Sequence, residues 1–296
     1  MSIGSPAVFR VLGEYCAENK IMIPSIRRIL MVGAPVPPEL HKTFKRVLSH
    51  EADTFTPYGA TEALPIANIS GSEILSSTAK NSLAGKGTCV GRPFPGVTVK
   101  LIPIHDDVCE NFCDSMVLGS NQIGEVCVNG PMVTEEYYDR SDATSLAKMK
   151  SAKGTWHRMG DIGYLDNEGR LWFCGRKSHR VTTSEGDFFP VPIEGIFNQH
   201  QLIRRSALVG VGPRGNQKMV LILEPIHKTL LGDSRMQKEV IQELLELAIQ
   251  YDASSKVTHF LWHECLPTDI RHNAKIFREK LSVWAEQQMA IKANLS

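Results

Sequence analysis

The spacing of apolar residues changes twice along the chain, and each change predicts a different kind of structure. Residues 5–19 read as a helix: Ser5 can cap it, Pro6 suits its first turn, and Val8, Leu12 and Tyr15 recur on one face. "RRILMVGAP" (27–35) reads as a buried strand entering a tight turn, and "PPELHKTFKRVLSH" (37–50) as a second helix with Leu40, Phe44, Val47 and Leu48 on its apolar side. "DTFTPYG" (53–59) returns to strand. Strand, helix, strand at this spacing predicts a βαβ unit and a parallel sheet. Ligands of such sheets sit beyond the carboxyl ends of the strands, where "GAP" (33–35) and "YGATE" (58–62) are expected to fall.

From about residue 85 the text turns into short strands separated by turns: "GVTVKLIPI", "GEVCVNG", "DIGYLD" and "GRLWFCG". "DNEG" (166–169) is a hairpin turn ending in Gly169. A small antiparallel barrel or sheet is expected, with the polar stretch 105–122 as a surface loop. After "GRKSHR" the pattern changes again. "ALVGVG", "KMVLILEP" and "VTHFLWHE" read as strands. "RMQKEVIQELLELAIQY" reads as an amphipathic helix with Val240, Leu244, Leu247 and Tyr251 in register, and the chain ends in a helix. This predicts an α+β unit of ordinary domain size, with a boundary at residues 175–177.

Composition narrows the function more than the fold. The 296 residues carry a formal net charge of +1, which gives no broad attraction to nucleic acid or anionic lipid. No apolar run approaches the length of a membrane span, and "MSIGSPAVFR" lacks a signal-peptide layout, so a cytoplasmic setting is expected. The seven cysteines are scattered, several within apolar strand text, as buried reduced thiols would be. Cys109 and Cys113 have no second pair at metal-site spacing, and His259 and His263 sit in strand text with no acidic partner, so neither pair reads as a zinc site.

Four short segments remain that could carry chemistry: "YGATE", "HRMGD" (157–161), "GRK" (175–177) and "PTDIRHNAKI" (267–276). Each alone has an ordinary structural explanation, such as a turn cap at Thr61 and Glu62 or a surface charge at Arg176. Together and in this order they resemble the acyl-adenylate-forming (AMP-binding) enzyme superfamily, which includes acyl-CoA ligases, luciferases and peptide-synthetase adenylation domains. "GAPVPPEL" resembles its adenine loop, "YGATE" its aromatic-Gly-x-Thr-Glu motif and "GEVCVNGPMVTEEYY" its Gly-Glu strand motif. "WHRMGD" resembles its ribose-aspartate motif, "GRK" its hinge and "RHNAKI" its C-terminal lysine motif.

The resemblance implies an α/β fold: the end of a large N-terminal α/β domain (a parallel sheet, 1–84, plus a small β-barrel, 85–175), followed by a small mobile α+β C-terminal domain (176–296). It implies ATP and Mg²⁺ as cofactors. Gly33, Ala34, Pro35, Tyr58 and Gly59 would take the adenine, Asp161 the ribose hydroxyls, and Arg176 would assist from the hinge. The Thr61 hydroxyl would bond a phosphate oxygen, and Glu62 would hold Mg²⁺, a hard ion that takes carboxylate and phosphate oxygens. Lys275 would neutralise the charge that develops when a carboxylate attacks an anionic triphosphate. Its place beyond a hinge would let closure assemble the site.

Two departures from the family pattern shape the expectation. No Ser/Thr/Gly-rich phosphate loop with a lysine precedes "YGATE"; "GKGT" (85–88) and "SGSEILSSTAK" (70–80) both lie downstream. The chain therefore reads as the C-terminal portion of a longer enzyme, expected to expose an apolar patch and either to be poorly active alone or to pair with a separate N-terminal half or pathway partner proteins. The second departure lies at Thr182 and Glu185, where many CoA ligases of the family place a lysine and a glycine. "YGATEALPIA", "GRKSHRV" and "PTDIRHNAKIFREKL" are closest in texture to the olefin-pathway β-lactone synthetases, which resemble fatty acyl-CoA ligases but use no CoA. That resemblance implies a fatty or β-hydroxy acid substrate, activated as acyl-AMP and closed by its own hydroxyl, with His272 a candidate base. A fatty acyl-CoA ligase, and an inactive remnant or nucleotide-binding subunit, are the alternatives.

Overall fold

The computed structural model describes residues 1–269 and 275–295. The chain divides into two compact units: Met1–Ala79 with Thr88–Phe173, and Lys80–Gly87 with Cys174–Ser296.

The first unit opens with strand β1 (Ser2–Gly4), helix α1 (Pro6–Glu18), β2 (Arg28–Met31), helix α2 (Pro38–Val47) and β3 (Asp53–Phe55). The three strands form a parallel sheet in the order β1-β2-β3, as the strand–helix–strand text predicts, with "SIG" as a strand the pattern did not announce. Ser5 caps α1, its hydroxyl accepting the Val8 N–H at 3.4 Å. α2 buries Leu40, Phe44 and Val47 as expected. α1 does not follow its expected face. It buries Phe9, Gly13 and Cys16, with the Phe9 and Phe44 rings meeting edge-on at 5.9 Å, and leaves Val8, Leu12 and Tyr15 outward. The helix is apolar on more than one side, and the sheet covers one of them.

Eight further strands form an antiparallel sheet: β4 (Tyr58–Ala60), β5 (Ala63–Asn68), β6 (Thr88–Pro93), β7 (Thr98–Ile102), β8 (Gly124–Asn129), β9 (Lys148–Ser151), β10 (Gly154–Leu165) and β11 (Leu171–Arg176). Their order is β4-β5-β6-β11-β10-β8-β7, with β9 on β10. "YGATE" therefore does not end a strand of the parallel sheet. β3 stops at Phe55, and Tyr58 opens a hairpin whose two-residue turn is Thr61–Glu62, since Ala60 pairs with Ala63. Gly59 is required there, because a Cβ would stand 2.6 Å from the Ala63 carbonyl oxygen. Residues 71–86 are four short helical turns, two of them widened. Helix α3 (Ser141–Ala147) precedes β9.

The stretch 105–122 is irregular but tethered. Phe112 stacks on Trp156 at 3.9 Å, and the buried Arg158 donates to the carbonyls of His105 and Asp107 and to Glu125 Oε2 at 2.7 Å each. One guanidinium satisfies the loop and a buried carboxylate together, as a buried charge requires.

The second unit contains the hairpin β12 (Val181–Thr183) and β13 (Gly186–Phe188), helix α4 (Pro190–Phe197), β14 (Ile203–Val211), β15 (Lys218–Pro225), helix α5 (Ser234–Ala248), β16 (His259–Trp262) and helix α6 (Arg278–Leu295). β14 and β15 are antiparallel, and β16 runs parallel to β15. Alternate residues divide the sheet's faces, as a period of two requires. Leu208, Leu221 and Leu223 pack with α4 and α5, whereas Ala207, Val209, Val220 and Ile222 pack with Leu281 and Ala285 of α6. No helix among the described residues is long and apolar enough to cross a membrane.

Candidate active site

The hairpin that carries "YGATE" meets the ribose-aspartate motif directly. Tyr58 donates its hydroxyl proton to Asp161 Oδ2 at 2.5 Å, across 103 residues of sequence. Its ring lies 6.1 Å from Phe173 at a tilt of 45°. Asp161 is 3% exposed. β10 changes register against β8 between Arg158 and Ile162, and Gly160 sits at φ +62°, so an irregular stretch of strand carries Asp161. A bulge re-aims a side chain without ending the strand.

Thr61, exposed, and Glu62, half-buried, occupy the hairpin turn. The Tyr137 hydroxyl donates to Glu62 Oε1 at 2.7 Å. Burial alone would raise the Glu62 pKa, but the Tyr137 hydrogen bond, a backbone hydrogen bond and the nearby Lys148 outweigh it, so the carboxyl lies below its ordinary range and is ionised near neutrality. Behind it, burial lowers the Lys148 pKa and pushes His157 down to about 4, so His157 is neutral at pH 7. A cleft of about 820 Å³ opens beside Tyr137, lined also by Glu135, Arg140, Thr144, Lys148 and Lys150. Gly33, Ala34 and Pro35 follow the end of β2, and Gly33 takes φ +89°, which a side chain would strain. Among the described residues no three His, Cys, Asp or Glu converge as metal ligands.

Arg176 and Lys275 belong to the second unit, where both lie near His179. Burial drives the His179 pKa down to about 4, and the positive charges of Arg278, Arg176 and Lys275 push the same way against Glu279. Lys275 is exposed and hydrogen-bonded to Asp269: Asp269 N–H donates to the Lys275 carbonyl at 3.0 Å, and Lys275 N–H to Asp269 Oδ1 at 3.1 Å. Arg278, at the start of α6, is held by both oxygens of Glu194 at 2.7 Å. His272 lies outside the described residues. At the second departure, Thr182 N–H donates to Gln217 Oε1 at 2.9 Å, and Glu185 pairs with Lys256 at 2.7 Å.

The structure thus brings Tyr58 to Asp161, while the charges of Arg176 and Lys275 both act on His179 in the second unit. Sequence reasoning missed Tyr137, Lys148, Asp269 and Glu194. Tyr137 stood inside the quoted "GEVCVNGPMVTEEYY", but nothing in its spacing ties it to Glu62, 75 residues earlier.

Residues 1–138 match the AMP-binding enzyme family. The fold is shared with amide bond synthetase McbA from Marinactinospora thermotolerans (TM-score 0.71, 21% identity, 96% of this chain and 51% of that one). It is shared also with the o-succinylbenzoate coenzyme A synthetase of Bacillus subtilis in complex with ATP and magnesium ion (TM-score 0.69, 20% identity, 94% and 50%). Among curated proteins the chain is 42% identical to the olefin beta-lactone synthetase of Xanthomonas campestris pv. campestris, over 96% of this chain and 51% of that protein. It is also 42% identical to the olefin beta-lactone synthetase of Stenotrophomonas maltophilia, over 98% and 52%. The chain spans about half the length of these curated relatives.

Proposed function

We propose that this chain carries the adenine, ribose, magnesium and lysine side of an ATP-dependent carboxylate-activating site, and that the acid is a β-hydroxy fatty acid closed to a β-lactone. The observation that carries the reading is the Tyr58–Asp161 hydrogen bond, which joins the two nucleotide motifs around a buried carboxylate. The choice of product leans on the 42% identity to the two olefin beta-lactone synthetases. It leans also on Thr182 and Glu185, engaged with Gln217 and Lys256 where a CoA ligase would carry lysine and glycine.

In this reading Gly33, Ala34, Pro35, Tyr58 and Gly59 receive the adenine, and Asp161 accepts from the ribose hydroxyls. Arg176 assists the ribose, and the Thr61 hydroxyl bonds a phosphate oxygen. Glu62 suits Mg²⁺: an ionised carboxylate on a turn, in no cluster of three His, Cys, Asp or Glu among the described residues, matches an ion that takes one or two carboxylates and completes its shell with phosphate and water. When bound, that ion offsets phosphate charge. A carboxylate oxygen of the acid attacks the α-phosphorus of ATP, the bond to pyrophosphate breaks, and an acyl-adenylate forms. The Lys275 ammonium offsets the negative charge gathering between the two anions. The substrate's β-hydroxyl oxygen then attacks the activated carbonyl, AMP leaves, and the hydroxyl proton passes to a base, for which His272 is the candidate. Both ends of the second step are one molecule, so high effective molarity replaces a second substrate.

The outward apolar side of α1 supports a polypeptide partner there, which would supply the family's phosphate loop. A cytoplasmic setting agrees with seven free thiols. The test supplies the full chain with ATP, Mg²⁺ and a long-chain β-hydroxy acid, together with a polypeptide bearing the phosphate loop, and looks for lactone by mass spectrometry without CoA. Lactone is expected. An acyl thioester formed only when CoA is added would assign the chain to the fatty acyl-CoA ligases. Neither product and no bound nucleotide would reduce it to a remnant.

A further inference from the structure

Glu62 is gripped from one side by a single stretch of chain. Tyr137 holds its side chain at Oε1, and the Thr134 N–H donates to its carbonyl at 2.9 Å. Both donors lie between β8 and α3, so one segment fixes the main chain and the carboxylate of the same turn residue. That segment is pinned in turn. Lys148, 8% exposed, donates its ammonium to the Thr134 carbonyl and to Thr134 Oγ1 at 3.0 Å. The same ammonium lies 5.9 Å from the centre of the Tyr137 ring, and the Tyr137 N–H donates to Thr144 Oγ1 at 3.0 Å. A buried lysine is costly unless its protons find acceptors, and these acceptors sit on the segment that grips Glu62.

We infer that Tyr137 is a positioning residue for Glu62: its hydroxyl engages one carboxylate oxygen and leaves the other for the divalent cation that accompanies the nucleotide, while Lys148 fixes the segment that presents it. The inference rests on the nucleotide-site reading above. A glutamate on a surface turn otherwise samples several rotamers, and ordering it on cation binding weakens the binding. Groups that orient a metal ligand are typically worth about tenfold or more in metal affinity.

The test uses the full chain with saturating ATP and Mn²⁺ as the probe. Free Mn²⁺ is read by electron paramagnetic resonance, nucleotide binding by equilibrium dialysis without cation, and folding by thermal melting. Tyr137→Phe is expected to leave nucleotide binding and melting near wild type and to weaken Mn²⁺ binding about tenfold. Lys148→Met should weaken it in the same direction, with Lys148→Arg recovering part of the loss. In a Glu62→Gln background, Tyr137→Phe should add nothing, because both act through one carboxylate. If Glu62→Gln weakens Mn²⁺ binding and Tyr137→Phe does not, Tyr137 is only structural and the inference is overturned. If Glu62→Gln also changes nothing, Glu62 is no ligand and the inference fails with that assignment. If the wild-type chain binds no nucleotide, the nucleotide-site reading is what fails, and this inference falls with it.

Discussion

Helices α1 and α5 each lay an apolar face on a three-stranded sheet and differ in what they leave outside. α5 turns Val240, Leu244 and Ala248 onto a three-stranded sheet, and its charged residues take the other side. α1 also covers a three-stranded sheet, through Phe9, Gly13 and Cys16, yet Val8 remains 63% exposed, Val11 71% and Tyr15 59%. Helical period predicts that an apolar stripe exists. Whether it is buried depends on how much surface the rest of the fold supplies. α5 has one apolar stripe and one sheet, whereas α1 has apolar residues on two sides. β1, at the edge of its sheet, adds Met1 and Ile3 to the exposed apolar surface.

Truncating the buried sides should give the largest effects. Phe44→Ala is expected to destabilise the chain by about 3–5 kcal/mol and Leu244→Ala by about 2–5 kcal/mol, read from urea unfolding of the affected unit. A loss below about 1 kcal/mol at either site would mean that core is not packed as described. Acid should come next. His41 is fully buried against Thr54, its pKa driven down to about 4 by burial although Asp53 pulls upward, and His157 is lowered likewise. Both are neutral in the fold and titrate near 6.5 when unfolded. The unfolded chain therefore binds more protons as pH falls from about 6.5 towards 4, and stability of the first unit should fall across that window. A first-unit unfolding midpoint unchanged between pH 7 and pH 5 would contradict the two burials. The smallest effect belongs to the outward side of α1. Val11→Ser and Leu12→Ser should shift stability by no more than about 0.5 kcal/mol while lowering the binding of an apolar dye. A loss there as large as that of Leu244→Ala would show that this side already has a partner within the chain.

The same comparison explains what the sequence made legible. β2, α2 and β3, the strand-rich middle and the α+β end were readable because their apolar residues repeat at periods of 3.6 or 2 and their turns carry glycine. The face of α1 was misread because Val8, Leu12 and Tyr15 satisfy the helical period as well as Phe9, Gly13 and Cys16 do, and period alone does not say which set meets a sheet. "YGATE" was placed at a rim but on the wrong sheet, because "DTFTPYG" reads as one strand while the chain breaks it at residues 56–57. The short motifs that contain Tyr58, Glu62, Asp161 and Lys275 were legible as text. Their supports were not. Tyr137, Lys148 and Glu194 act through partners 75, 14 and 84 residues away, and no local spacing encodes those meetings.

The central claim is that Tyr58 and Asp161 together form a seat for a nucleoside. Its most direct measurement is equilibrium dialysis of labelled AMP against the full chain and its Asp161→Asn variant, since AMP carries the adenine and ribose without needing a triphosphate loop. The account predicts that the wild-type chain binds AMP and that Asp161→Asn weakens binding about tenfold or more with the fold intact, as losing hydrogen bonds to a charged group should. Equal AMP binding by the two proteins, or none by either, would contradict it.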